Sequence, residues 1–372
     1  MVKVLIAVSS VGLGHIARSR PLGLLLHKIY GFKVHYLAPP PTDAYLRSYG
    51  VNPLSVSSKL RSLSTIVDEY YSLKGTARIS LGMILKEYRV VRRNRAVIDD
   101  VIDYDDYDVI IADESWELLD SDKFLRKSGT KKVFMTDFLK YPYIRLRDVA
   151  GASLFNRFLW KRLKFFDLIL YVGFPEKVPN EKGYTGIDVV GPIPPMLEDE
   201  VLSENEARSL IKSSNPTILV SLGGTIAGID IMRMVCRIMG NSEFSIYMAP
   251  GASIDKSKIG GCTTINNSLK FKIPIMIRAF NVIVALSGLS SLAASIVEGI
   301  PTITIPLPQH FEQEENAVLA SRKYSWITSI KPSEYTRIPE IVKKNMTKPS
   351  SGDKSLYKNQ FRIALAIKDM IN

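Results

Sequence analysis

The chain has 372 residues, 46% of them hydrophobic, with 49 Lys and Arg against 37 Asp and Glu for a net charge of +12. That length exceeds one comfortable core and points to two domains, and the composition excludes a disordered or fibrous chain. The positive excess sits mainly in residues 1–190 (29 basic against 21 acidic) rather than in 191–372 (20 against 16), which fits either an anionic partner or a solvated surface.

The elements follow in chain order. KVLIAVS is a strand, and a helix runs through RPLGLLLHKIY to a stop at Gly31. FKVHYLA is the next strand, followed by the proline-rich loop PPPT. YDVIIADE is a buried strand that runs into acidic residues, and KKVFMTDF and FDLILYVG are two more. YTGIDVVGPIPP is a short strand ending in a stiff connector, Gly191 to Pro195. An acidic helical stretch, EDEVLSENEARSLIK, comes next, and after Pro216 the alternation restarts. TILVSLGG, EFSIYMAP, NVIVALS, TITIPL and SWITSI read as strands, with helices IDIMRMVCRIMG, SLAASIVEG and QEENAVLASRKY among them. The last segment, LYKNQFRIALAIKDMIN, is amphipathic at helical spacing. Strands separated by helix-length segments indicate parallel sheets covered on both faces. The expected organisation is an α/β protein with two Rossmann-like, doubly wound domains. Residues 1–190 form the first, 191–200 the linker, 201–350 the second, and 351–372 a C-terminal helix that packs back on the first domain.

Residues Ala279 to Val297 carry no charge and approach the length of a membrane span. Asn281, four serines and Gly288 divide the stretch into strand, turn and helix, so it reads as core. Two cysteines, Cys236 and Cys262, make neither a disulfide framework nor a zinc site and fit a reduced, cytoplasmic compartment. The N-terminus has none of the features of a signal peptide.

Ligands of open parallel sheets bind beyond the carboxyl ends of the strands, where glycines admit a ligand and helix N-termini offer free N–H groups. Three loops qualify: SSVGLGH, SLGGTIAG and LSGLSS. None is a P-loop, because no Gly-Lys-Ser/Thr follows. His15 lies at the mouth of the first sheet and has the titration range of a general base. Asp113 and Glu114, at the end of the third strand, are its rivals, or else acids that complement a helix dipole. His27 and His35 read as packed or surface residues, and His310 as a loop residue beside a ligand or exposed. DYDDYD, Asp103 to Asp108, falls at the wrong end of its strand for a metal site and reads as a solvated turn.

The order of parts after Leu286 is more specific: a Gly/Ser turn, a helix, Gly-Ile-Pro, a strand, a proline-rich loop, Glu-Gln, and Asn-Ala on a new helix. This region resembles the donor-binding region of GT-B glycosyltransferases, in particular family 28, around the bacterial N-acetylglucosaminyltransferase that forms lipid II. GLGHIARSR resembles that family's N-terminal loop, VVGPIPP its linker and ILVSLGGT its first C-terminal strand. The resemblance runs in order through about Tyr324.

The resemblance implies two domains facing across a cleft and a metal-independent, inverting transfer of a hexose or N-acetylhexosamine, favoured as UDP-N-acetylglucosamine, to a hydroxyl acceptor. It implies that Gly223, Gly224, Thr225, Gly288, Ser290 and Ser291 lie near the nucleotide phosphates. Glu312 and Gln313 would hold donor-sugar hydroxyls, and Asn316 and Ala317 would start the next helix. The family's ribose-binding glutamate is replaced by Ala294. Glu298, one helical turn on, either substitutes for it or is a solvated residue. Gly12 and Gly14 would thin the wall beside the catalytic residue, His15 or Glu114, and Arg18 and Arg20 would serve an acceptor phosphate or the fold. No cofactor, metal or nucleic acid is implied. A lipid-linked acceptor is, and with it peripheral contact with an anionic membrane through two basic segments. These are LKEYRVVRRNR and ASLFNRFLWKRLKFF, the latter with Phe155, Phe158, Leu159, Leu163 and Phe166 at helical spacing. The competing readings are a non-hydrolysing sugar-nucleotide epimerase of the same fold and an inactive basic membrane-binding protein.

Overall fold

The computed structural model describes residues 1–74, 81–141, 149–178, 186–213, 216–221, 228–240, 242–249, 260–346 and 350–371. It contains two six-stranded parallel sheets, one from each half of the chain. The first comprises β1 (Lys3–Val8), β2 (Lys33–Leu37), β3 (Val109–Asp113), β4 (Lys131–Thr136), β5 (Leu168–Tyr171) and β6 (Ile187–Val189), in the order β2-β1-β3-β4-β5-β6. The second comprises β7 (Thr217–Ser221), β8 (Ser245–Met248), β9 (Thr263–Thr264), β10 (Val282–Ala285), β11 (Thr302–Thr304) and β12 (Ile327–Ser329), in the order β12-β11-β10-β7-β8-β9. Only the two-residue β9 had no counterpart in the sequence reading.

The helices of the first half are α1 (Gly14–Tyr30), α2 (Thr42–Ser48), α3 (Ser64–Lys74), α4 (Leu81–Val101), α5 (Trp116–Asp120), α6 (Asp122–Leu125) and α7 (Val149–Leu163). Those of the second are α8 (Glu204–Ile211), α9 (Ile229–Met239), α10 (Leu289–Glu298), α11 (Phe311–Lys323), α12 (Ile338–Asn345) and α13 (Tyr357–Asp369). α1 ends where Gly31 adopts a left-handed conformation (φ +66°) and its N–H bonds back to His27.

Both faces of each sheet are buried, as parallel sheets require. Along β1, Val4, Ile6 and Val8 pack with Ile16, Leu22 and Leu26 of α1, while Leu5 and Ala7 join Ile98, Leu159 and Leu163 on the opposite face. Ile363, Ala364 and Ile367 of α13 belong to the α1 side, so the last helix returns to the first sheet. In the second sheet, Ile218 and Val220 face α9 and α12, and Leu219, Ile283 and Ala285 face α10.

Three sequence expectations are revised. The acidic stretch predicted as one helix is a 3₁₀ turn, Glu198–Glu200, and then α8, because Ser203 and Glu206 form a reciprocal cap that starts a new helix. Cys236 and Cys262, taken as reduced, form a disulfide. The apolar stripe of α7, offered as a membrane face, is largely core: Leu159 and Leu163 are buried under the first sheet, as is Phe166 just beyond the helix. The uncharged stretch 279–297 is divided between β10 and α10, and no helix among the described residues is long and apolar enough to cross a membrane.

Candidate active site

The strand order sets the site. β1, β3 and β4 are neighbours, so the residues just past their carboxyl ends converge: His15 after β1, Asp113 and Glu114 at β3, and Asp137 after β4. The loop into α1 is held by a serine network. Ser10 Oγ accepts the Leu63 N–H at 2.9 Å, and Ser64 Oγ accepts the Gly12 N–H at 2.8 Å. Gly12 has φ +67°, a conformation only glycine takes without strain. Gly14 has another role. The Ser290 hydroxyl, in the first turn of α10, donates to its carbonyl oxygen at 3.0 Å. The two halves of the chain therefore meet one residue before His15.

His15 Nδ1 lies 3.1 Å from Asp113 Oδ1, and its Nε2 lies 3.8 Å from Glu114 Oε2. Arg18, one turn along α1, is buried with the acids. Its Nε and Nη2 donate to Asp113 and its Nη1 donates to Asp137 Oδ2 at 2.5 Å. Ser19 Oγ donates to Asp113 Oδ2 at 2.7 Å. Arg18 Nη2 is also 3.0 Å from His15 Nδ1. A guanidinium offers only hydrogens, so Nδ1 can serve one of these neighbours. With the proton on Nδ1 pointing to Asp113, Arg18 is satisfied by the carboxylates and Nε2 is left as a free acceptor. That is the tautomer a base needs.

The charges reinforce this arrangement. Burial opposes ionisation of Asp113, but Arg18 and His15 outweigh it and hold the carboxyl down to about 2. Burial likewise opposes a charged His15, yet Glu114 and Asp113 overcome it and the opposing Arg18, so the imidazole is raised above 6.5. Burial and the Asp137 charge push Glu114 up to about 8. Glu114 is a non-glycine residue at φ +48°, a costly backbone state held by its surroundings. Its Oε1 accepts from Thr136 Oγ1 at 2.9 Å and from the Asp137 N–H at 3.0 Å, which leaves Oε2 facing His15.

Across the cleft, α10 starts at Gly288 with Ser290 and Ser291 in its first turn, the latter exposed. Gly223, Gly224 and Thr225 lie outside the described residues. On α11, Glu312 is pushed up to about 7 by burial and Asp137, and its Oε1 accepts from Asn316 Nδ2 at 3.3 Å. Asn316 and Ala317 are buried in the second turn rather than at the helix start. Gln313 is largely buried, and its Oε1 accepts the Leu307 N–H at 3.1 Å, so that oxygen shapes the preceding loop. His310 caps α11, and burial pushes its imidazole down to about 4. Lys177, from the first half, reaches α11 at Glu315 Oε2 (3.4 Å) and Asn316 Oδ1 (3.5 Å).

Several assignments change. Glu298 sits at the C-terminal end of α10, at the opposite end of the helix from Gly288, Ser290 and Ser291. Its carboxylate accepts from Arg278 Nε at 2.7 Å, Lys354 Nζ at 2.5 Å and Tyr357 OH at 2.8 Å. It is a structural tie, not a replacement for the missing ribose ligand. Arg18 and Arg20 are both engaged as well. Arg20 forms a paired ion bridge to Glu200 at 2.6 and 2.7 Å and lies over the Tyr49 ring. Neither arginine is placed to take an acceptor phosphate. His27 and His35 bond to the Phe32 carbonyl and the Tyr107 hydroxyl, away from the cleft. Asp137 and Lys177 were missed by the sequence reading.

No family model and no curated protein matches the sequence. Solved structures do match along the whole chain. The glycosyltransferase SnogD from Streptomyces nogalater aligns with a TM-score of 0.63 at 13% identity, covering 100% of both chains. The glycotransferase of kitacinnamycin aligns at 0.59 and 14% identity, covering 100% of this chain and 99% of that one. SsfS6, a glycosyltransferase of Streptomyces sp. SF2575 solved with thymidine diphosphate, aligns at 0.55 and 15% identity, covering 99% of this chain and 96% of that one. The chain therefore has the GT-B fold of these glycosyltransferases, two Rossmann-like domains in one polypeptide.

Proposed function

We propose that this protein is a glycosyltransferase that moves a sugar from a nucleotide sugar to a hydroxyl acceptor, with His15 as the base. The observation that carries this reading is the cluster of half-buried His15 with buried Asp113 and Arg18, set beside the first turn of α10 by the Ser290–Gly14 contact. His15 Nε2 takes the proton of the acceptor hydroxyl as its oxygen attacks the anomeric carbon, and the bond to the nucleoside diphosphate breaks on the opposite side. Asp113 holds the ring and stabilises the imidazolium that forms. The leaving diphosphate faces the N–H groups of α10 at Gly288, Ser290 and Ser291, where the helix dipole favours negative charge. Glu312, on α11 of the second half, bonds sugar hydroxyls in this reading. Attack from the His15 side inverts the anomeric centre, and no metal takes part in this reading.

UDP-N-acetylglucosamine, favoured by the resemblance, is the first donor to test. Thymidine-diphosphate sugars belong in the same panel, because SsfS6 was solved with that nucleotide. Release of nucleoside diphosphate that requires an acceptor, with an inverted product, supports the proposal. Isomerisation of the donor without an acceptor would point to an epimerase. Neither, over a broad donor panel, would point to a binding protein.

A further inference from the structure

Five aromatic side chains form a continuous wall beside the catalytic groups. Trp116, two residues after Glu114, lies 6.0 Å from Phe138 and 5.6 Å from Phe155, ring centre to ring centre. Phe138 follows Asp137, and it stacks on Phe155 at 6.4 Å. Tyr141 is 6.2 Å from Phe155 and 5.1 Å from Phe311, the residue before Glu312. Phe311 also meets Phe138 at 6.1 Å, so the wall crosses from one half of the chain to the other. All five are half-buried: Trp116 and Phe155 rest on the core beneath the first sheet, and each ring keeps part of its surface open. The wall is built rather than loose: Asn156, itself largely buried, accepts the Tyr141 N–H at 2.7 Å and donates to its carbonyl at 3.0 Å.

We infer that this wall is the acceptor subsite and that it takes a flat, uncharged, hydroxyl-bearing ring system; this rests on the transferase reading above. Aromatic faces bind flat apolar bodies, and a few polar groups beside them fix the orientation. The polar groups here are His15 and Glu114, so the hydroxyl of a ring lying on Trp116, Phe138 and Phe155 is delivered to the base. The buried cation of the site does not serve an anion. Arg18 is bound to Asp113 and Asp137, so its charge is spent within the protein and offers nothing to a phosphate next to the reacting hydroxyl. The lipid-phosphate acceptor implied by the resemblance is thus disfavoured by this chain's own residues.

Calorimetric titration without donor tests the subsite independently of turnover. The probes are 4-methylumbelliferone, a flat hydroxylated ring system, and farnesyl phosphate, an apolar chain carrying a phosphate. The wild type binds the first more tightly, and Phe155→Ala and Phe311→Leu each weaken it about tenfold or more. Leu154→Ala, which alters an exposed side chain elsewhere on α7, leaves binding unchanged. His15→Ala, which removes one polar contact to the hydroxyl, weakens binding less than either wall variant does while any transfer is lost, which separates the subsite from the chemistry. Tighter binding of farnesyl phosphate, or binding of 4-methylumbelliferone indifferent to the wall variants, overturns the inference even if transfer to other acceptors is observed. Wall-dependent binding with no transfer to any acceptor supports the apolar subsite and sinks the transferase reading instead.

Discussion

Replacing Asp113 with asparagine removes one charge from the floor of the cleft and keeps the side chain's shape. Asp113 receives hydrogen bonds from Arg18 Nε and Nη2, Ser19 Oγ and His15 Nδ1. Removing one member of a buried ion pair typically costs ~3–5 kcal/mol. Arg18 retains Asp137, so the lower end of that range applies here. The catalytic loss is about 10²–10⁴ in kcat, because the base loses its partner and its fixed tautomer. The pH profile separates the two effects. His15 acts when neutral, so activity falls as pH drops through its pKa, which in the wild type lies above 6.5. Asp113 raises that pKa both through its charge and through its hydrogen bond. In Asp113→Asn the acid limb of kcat/KM therefore moves to lower pH while the plateau falls. Steady-state rates across about pH 5–9, with folding checked by circular dichroism, measure both. A reduced plateau with an unmoved acid limb would refute the assignment of Asp113 as the partner of the base.

Two other substitutions discriminate between roles. Glu114 has a folded-state pKa of about 8 against an ordinary 4.5, so the folded protein keeps a proton that the unfolded chain sheds. Its contribution to stability is full below pH 4.5 and declines as pH rises toward 8. The melting temperature of Glu114→Gln, measured against the wild type, should therefore improve from the low end of that interval to the high end; a constant difference would contradict the buried-acid account. Glu298→Ala removes the acceptor shared by Arg278, Lys354 and Tyr357, and should lower stability by ~1–3 kcal/mol in denaturant melts. Its donor KM should stay within about twofold of wild type, and a much larger rise would restore Glu298 as a nucleotide ligand.

The alternation of apolar runs and helix-length segments was enough to read both sheets, because parallel strands buried on two faces are continuous and easily bounded. The positions of His15 and Glu114 were legible for a similar reason: Glu114 follows directly on β3, and His15 opens the helix after β1. Asp137 was not, since nothing in KKVFMTDF separates an acid at a site from an acid in a turn. Its place emerges only when β4 is known to lie beside β3 and β1 beyond that. Arg18 stayed open between an acceptor phosphate and the fold because its acidic partners, Asp113 and Asp137, are remote in sequence. Glu298 was undecided for a geometric reason. Helix-face spacing left a ribose ligand and a solvated residue both open, and the partners that engage its carboxylate, Arg278, Lys354 and Tyr357, come from other segments that this spacing does not reveal. The aromatic residues of α7 divide between core and wall by the depth of the packing, which helical spacing alone does not resolve. Likewise, the contact between Ser290 and Gly14 depends on how the two sheets face each other, a relation that local patterns do not encode.

The central claim is that His15 is the base of a sugar transfer in the cleft between the sheets. Its most direct test is the release of nucleoside diphosphate from a nucleotide sugar, with and without a hydroxyl acceptor, by wild type and His15→Ala. The account predicts acceptor-dependent release by the wild type and a loss of about 10²-fold or more in a variant that remains folded. Near-normal release by His15→Ala, under conditions where the wild type turns over, would contradict it.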